Sequence, residues 1–385
     1  MARVHQAGIG CIAVVIAAAL AGCTPSVDPA ADPASDPFAA PIVPGLSSTV
    51  VTGGDEQSGL LAVTPRRGSG TVTVAVPAGQ AFSDELARDF LRATGFTLVQ
   101  VETDDDGLAA ATAATPEGQD AAGSADVLIG LDATDALTGT DSSVLAGGAP
   151  EDAATPEGTE LAGAPGAVAY ARDDVCVLAD TQWFAANKID PPNSVDDLAS
   201  SAYASLLEIP DPSATAEGRA FVQLTGQAKG EGASGWWAQL LASGAQVQSG
   251  DAAVQAWTAA SASGARPLLV APESLAATTV NNTATESSAA PVGSTCLTRY
   301  LYAARTADPA DPDGAESFLA YLLGARAQQA LAEESIATPL VAAAAQDTPI
   351  GWFSAPTGDA VALSEEDLGR TKDWLAAWEK ELSSR

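Results

Sequence analysis

The sequence predicts an α/β protein in two lobes, and three observations carry that reading. From residue 71 onward, short β-rich runs alternate with amphipathic helical stretches, the pattern of sheets covered by helices. A break at 139–166, rich in Gly, Pro, Ala and acid, interrupts the alternation. The chain beyond residue 70 is long enough for two cores rather than one.

Residues 1–22 read as an export signal. Arg3 forms a short basic start, and the apolar stretch from Ile9 to Leu20 is too short for a permanent membrane span. The segment ends in Leu20-Ala21-Gly22-Cys23, the four-residue pattern read by a lipoprotein signal peptidase, so the mature chain is expected to begin at a lipidated Cys23. Residues 23–70 comprise this cysteine and a stretch of Pro, Ala, Ser, Asp and Gly with too little apolar area to offset the entropy of ordering, which is expected to be a disordered tether. The working part is thereby expected outside the cytoplasm, held to the cell membrane by its N-terminal lipid.

Lobe 1 is expected to comprise 71–172 and 297–385. Val72–Val76 alternates as a strand, and Phe82–Thr94 follows as a helix with Ser83 as N-cap and Leu86, Phe90 and Leu91 as its apolar stripe. Gly95 ends that helix, Phe96–Val101 is the second strand and Asp126–Leu131 the third, an order that makes a parallel sheet. Ala167–Ala171 and Val175–Ala179 are strong strands that mark the crossing into lobe 2, residues 173–296.

In lobe 2, helices are expected from Trp183, after Pro191-Pro192 and over 216–228, 234–243 and 251–262, with strands at Leu206–Ile209 and Pro267–Ala271. A strand over Cys296–Ala303 then returns the chain to lobe 1, before a helix that packs Phe318, Leu319, Leu322 and Leu323 on one face. The final helix, Ser364–Leu382, is capped by Ser364, carries Glu365, Glu366 and Asp367 in its first turn, and aligns Trp374, Leu375, Trp378 and Leu382 on one side. Two indoles at i and i+4 indicate docking onto a core; no cofactor is expected.

Composition excludes several functions. Removal of the leader takes away only Arg3 among the charges, leaving 49 acidic against 16 basic side chains, a net charge of −33, and nucleic acid is a poor partner for such a surface. The sole histidine, His5, lies in the leader, so the mature chain has no Ser-His-Asp or Cys-His catalysis and no His-ligated zinc; no metal site is assigned, and an enzyme is not expected. Cys11 leaves with the leader and Cys23 is consumed by lipid. Cys176 and Cys296 remain, and two thiols in an oxidising compartment suggest one bridge, the alternative being two buried free cysteines.

The run Asp174-Val175-Cys176-Val177, then Gln182-Trp183-Phe184 and Pro191-Pro192-Asn193-Ser194-Val195-Asp196-Asp197-Leu198, resembles the thiamine-binding branch of ABC-importer substrate-binding lipoproteins. Gly130-Leu131-Asp132, the Ser213–Gly218 turn entering a helix, Ser294-Thr295-Cys296 and Trp374-Leu375-Ala376-Ala377-Trp378 extend the likeness over most of the mature domain. The resemblance implies a two-lobed clamshell of the type II periplasmic-binding-protein-like class with hinge strands between the lobes. It implies a small-molecule ligand, thiamine or a related organic cation, held between the lobes of a monomer and delivered to an ABC-importer permease. Gram-positive relatives carry two cysteines at equivalent positions, which supports pairing Cys176 with Cys296.

At the pocket positions the chain departs from that family. It has Gly79-Gln80-Ala81-Phe82 in place of a polar Asp-Ser-Phe loop, Gly250-Asp251 with Trp257 displaced in place of a Gly-Trp followed by tyrosine, and Ala271-Pro272-Glu273-Ser274-Leu275 in place of Ser-Tyr with Thr-Ser-Pro. The expected ligand contacts are therefore Gln80, Phe82, Asp132, Asp174, Asp251, Trp257 and Glu273, an acidic cleft suited to an organic cation. Ser213 and Thr215 complete the set, at a helix N-terminus suited to a phosphate or carboxylate group. The alternative is a degenerate clamshell serving as a cell-envelope scaffold lipoprotein; a collapsed cleft would favour it.

Overall fold

The computed structural model describes residues 64–78, 80–103, 124–263, 266–280, 285–354 and 359–385. Cys23, the leader and most of the tether lie outside these residues, as does Gly79. Eleven strands in the described residues form two mixed sheets with helices against them. The first sheet comprises β1 (Gly70–Pro77), β2 (Phe96–Thr103), β3 (Val127–Leu131), β4 (Ala167–Arg172), β10 (Tyr300–Arg305) and β11 (Thr338–Pro339), in the order β11-β4-β10-β3-β1-β2. The second comprises β5 (Val175–Asp180), β6 (Leu207–Pro210), β7 (Gln246–Gln248), β8 (Leu268–Pro272) and β9 (Ala289–Pro291), in the order β7-β6-β8-β5-β9.

Only part of each sheet is parallel. β1 runs parallel to β2 and β3, and β6 parallel to β7 and β8, whereas β10 is antiparallel to β3 and β4, and β5 antiparallel to β8 and β9. The exceptions to a parallel expectation have a common origin: β5 and β10 enter their sheets from the other lobe, so their direction is set by the crossing and not by a βαβ unit.

Local chemistry starts and stops the elements as the sequence indicates. Ser83 caps the Asp84–Thr94 helix by accepting the Leu86 N–H, and Gly95 closes it at φ 88°, donating its own N–H to the Leu91 carbonyl. Phe90 of that helix meets Phe318 edge-on at 5.5 Å inside the core that joins the first sheet to the Pro312–Leu322 helix. The second core gathers Val177, Leu207, Ile209, Phe221 and Trp237 between the second sheet and the helices Ala216–Lys229 and Ala233–Ala242.

Two expectations about the C-terminal third are corrected. The return strand begins at Tyr300 rather than Cys296, because Leu297 pairs only by isolated bridges, with Val175 and Val361, where three segments pass between the sheets. The terminal helix divides at Arg370 into Glu365–Gly369, with its Ser364/Asp367 capping box, and Thr371–Ser383. Its second part docks on lobe 2 and not on lobe 1: the Trp378 ring lies 6.2 Å from Phe221 and 5.9 Å from Trp237, and Trp374 joins the same core. The partners are aromatic and distant in sequence, since Phe221 and Trp237 of the second core receive the indole edge-on.

At the crossing the two connecting segments lie side by side. The Val175 and Leu297 N–H groups donate to each other's carbonyls at 3.0 and 2.8 Å, and the Asp173 N–H donates to Arg299 at 2.9 Å. Cys176 and Cys296 form a disulfide just beyond this pairing, so both connections are tied together at the edge of lobe 2. Among the described residues no helix is long and apolar enough to cross a membrane.

Candidate functional site

A cavity of about 250 Å³ lies between the sheets, walled by residues of both lobes and of the crossing. Lobe 1 contributes Asp132 to Thr134 and Gly158 to Leu161, lobe 2 contributes Ala220 and Gln223, the crossing contributes Leu297 to Tyr300 and Tyr302, and the segment before the terminal helix contributes Leu363 and Glu365. Local folding places each group. β3 ends in Gly130 at φ 75°, where a side chain would meet the Pro77 ring, and turns into a helix Ala133–Asp141 whose N-cap is Asp132. Across the gap, Thr215 caps Ala216–Lys229 by accepting the Gly218 N–H, which directs Arg219 and Gln223 at the opposite wall.

Arg219 bridges the lobes. Its Nε and one terminal nitrogen donate to one oxygen of Asp132 at 3.0 and 2.7 Å, and the terminal nitrogen also donates to Asp135 at 2.8 Å. Burial opposes ionisation of both acids, but the guanidinium and the Asp135 N–H hold Asp132 below the ordinary carboxylate range. Asp135 is pushed up to about 7 by burial and by its neighbour Asp132. Gln223 adds a second link, donating to Thr134 at 2.9 Å and to Thr371 at 3.0 Å.

Behind the cavity, charge is dense at the crossing. Arg299 donates to Glu217 at 2.9 Å and lies 3.6 Å from Asp173, whose carboxyl burial raises to about 6 against the pull of Arg299 and two hydrogen bonds from Ser274. Arg172 makes a two-point pair with Asp174 at 2.8 and 2.6 Å. Glu273 is 1% exposed, neither of its oxygens has a hydrogen-bond partner among the described residues, and burial together with Asp174 and Asp173 lifts its carboxyl to about 9, so it is protonated at neutral pH. It faces the sulfurs of Cys176 and Cys296, which are spent in the disulfide and are not thiolate ligands.

The family model described as bacterial extracellular solute-binding protein matches residues 72–334, more than half of the chain. The chain belongs to that family. Solved structures agree on the fold: a periplasmic thiamin binding protein superposes with a TM-score of 0.63 at 19% identity, covering 83% of this chain and 98% of that one. The Trichodesmium protein IdiA (FutA), in complex with iron and citrate, gives 0.61 at 15% identity over 81% of this chain and 99% of its own. Iron-bound HitA from Pseudomonas aeruginosa gives 0.61 at 18% identity over 81% and 99%. No curated protein sequence matches. The fold is that of a two-lobed type II periplasmic binding protein, and the family is one of extracellular solute-binding proteins rather than enzymes.

Of the ligand contacts expected from sequence, this receptor brings Asp132 to the cavity wall. Asp174 and Glu273 are buried at the crossing behind it. Thr215 is spent on its helix cap, and Ser213 is exposed and bonded to Asp211 at 2.8 Å. Phe82 is a core residue of lobe 1, 6.3 Å from the Phe318 ring, because the adjoining backbone turns it inward through paired hydrogen bonds with Gln100. Gln80 lies beside it, half-buried, against Pro77 and Gly130. Trp257 is buried next to the disulfide with its indole N–H on the Pro267 carbonyl at 3.2 Å, and Asp251 is exposed on the first turn of Gly250–Ser263. Neither belongs to the cavity wall.

The rings and charges that do line it were not singled out by the sequence as contacts: Tyr300, Tyr302, Arg299, Glu160 and Glu365. A signal existed for the tyrosines. Alternate residues on a strand share a face, and a strand returning between lobes must pass the floor of the cleft.

Proposed function

We propose that this solute-binding protein is a lipid-anchored receptor that captures thiamine or a related small organic cation between its lobes and hands it to an importer permease. The observation that carries the reading is the composition of the cavity wall: Asp132, Glu160 and Glu365 against a single arginine, Arg299, with two phenol rings, Tyr300 and Tyr302. The likeness to a thiamin binding protein supports the same class of ligand. The lipid anchor rests on Leu20-Ala21-Gly22-Cys23.

The test is a ligand screen on the protein carrying Cys23→Ser, purified without lipid. Thiamine, its phosphates, polyamines and ferric citrate are titrated while thermal unfolding is followed. A cation that binds should raise the transition by an amount growing with its concentration, about 2.7 kcal/mol at a hundredfold excess over Kd. Separately, the unaltered chain should partition with detergent and incorporate labelled palmitate, and Cys23→Ser should do neither.

One observation favours a second reading, the degenerate clamshell acting as a cell-envelope scaffold. The cavity, at about 250 Å³, sits just under the usual ~300–1,000 Å³ of small-molecule sites, and Arg219 ties the two lobes together at Asp132 on its wall. A flat response across the whole screen would select this reading.

A further inference from the structure

Arg219 reaches from lobe 2 to Asp132, a residue of the cavity wall, and makes its ion pairs with the opposite lobe. It lies one turn into Ala216–Lys229, near an N-terminus whose dipole disfavours positive charge. It is 8% exposed, and all three of its hydrogen bonds given above reach across to lobe 1. We propose that Asp132 and Asp135 form a ready-made seat for a planar, N–H-rich cation, that Arg219 fills this seat from the opposite lobe, and that a ligand taking the seat must displace it. The inference rests on reading the interlobe cavity as the ligand site.

The seat belongs to lobe 1 whether or not Arg219 is in it. One oxygen of Asp132 accepts the Asp135 N–H at 2.8 Å, and Asp135 accepts the Asp132 N–H at 3.4 Å, so backbone bonds fix both carboxylates. The other Asp132 oxygen and the same Asp135 oxygen converge on the guanidinium plane. A fork of this kind recognises amidinium, guanidinium and aminopyrimidine-like groups better than a point charge. Two acids meet one cation here, so the seat repels anions even when filled. Because the donor and acceptors come from different lobes, Arg219 also draws the halves together without any ligand, and thus acts as a built-in competitor that sets which solutes can close the cleft.

Chemical rescue tests this. In Arg219→Ala, solution scattering should show a larger radius of gyration than the parent in the absence of ligand. Ethylguanidinium at about 10 mM should restore the compact value and raise the melting temperature by a few degrees, the response of a site with a Kd near 1 mM. Propylammonium should do less, and Asp132→Asn in the same background should abolish the rescue. If Arg219→Ala does not fold, Arg219→Gln carries the same comparison. Unchanged dimensions in the variant, or no response to ethylguanidinium, would overturn the proposal. Absent rescue with intact thiamine binding sinks the seat and spares the function above, whereas rescue without any thiamine response does the reverse.

Discussion

Replacing Glu273 by glutamine isolates one buried electrostatic load at the crossing. The carboxyl is fully enclosed, faces Asp173, Asp174, Arg172 and the Cys176–Cys296 bridge, and holds its proton up to about pH 9 instead of the usual 4.5. An acid with a raised folded pKa keeps a proton that the unfolded chain gives up, so stability is fully retained below pH 4.5 and is lost as pH climbs toward 9. Between pH 5 and 8 the loss is nearly 3 pH units at 1.36 kcal/mol each, about 4 kcal/mol as an upper bound. Glutamine keeps the shape and does not ionise. Its packing offset is the same at every pH, so the difference in unfolding free energy between variant and parent should grow by about 4 kcal/mol from pH 5 to pH 8. Asp135 and Asp173, with carboxyls at about 7 and 6, bend both curves in the same direction and cancel in the comparison. Urea unfolding of both proteins at pH 5, 6, 7 and 8 reads the effect directly. Parallel curves would mean that Glu273 is ionised in the folded protein, and the account of the crossing would fall.

Three further outcomes are expected. Changing both Cys176 and Cys296 to alanine removes a bridge spanning 120 residues, and urea unfolding should show a loss of about 5 kcal/mol by loop-closure entropy, matched by the reduced parent. Gly226→Ala brings a Cβ to 2.7 Å from the Trp374 ring, so it should cost about 1–3 kcal/mol and move the tryptophan emission as the terminal helix shifts off lobe 2. Tyr300→Ala should weaken whichever cation the screen identifies by about 2- to 30-fold in calorimetry, the range of one ring–cation contact.

Much of the architecture was legible because it is written in local chemistry. Ser83 and Ser364 cap helices as their sequence contexts indicate, and Gly95 ends one where the apolar stripe of Leu86 and Phe90 stops. The strands at Val127–Leu131, Ala167–Arg172 and Val175–Asp180 follow from short runs of buried Val, Leu, Ile and Ala. What escaped depends on contacts far apart in sequence. The antiparallel direction of β10 is fixed by the crossing, and the choice of lobe by Trp374 and Trp378 is fixed by Phe221 and Trp237, over 130 residues earlier. The site suffered most for this reason. Phe82 and Trp257 are strongly apolar, and without coordinates a ring beside a cleft cannot be told from a ring beneath it; Arg219, 87 residues from Asp132, carries no local sign of its partner.

The cleft and crossing together place six carboxyls, those of Asp132, Asp135, Asp173, Asp174, Glu217 and Glu273, around three guanidiniums, those of Arg172, Arg219 and Arg299. Buried charge must be balanced, and burial lifts three of these carboxyls: Glu273 to about 9, so that it keeps its proton at pH 7, Asp135 to about 7 and Asp173 to about 6, where it is largely ionised at neutral pH. In Arg219→Ala the seat is empty and the loss of the guanidinium raises Asp135 further, so a cation bound against Asp132 and Asp135 competes with its proton, and binding to that variant should release protons near neutral pH. Calorimetry at pH 7 in phosphate and in Tris distinguishes the cases, because released protons are taken up by buffers of very different ionisation enthalpy. Heats that differ between the buffers in proportion to that enthalpy support a cation seated on the Asp132–Asp135 pair. Identical heats would place the ligand's charge elsewhere, on Glu160 or Glu365 of the cavity wall.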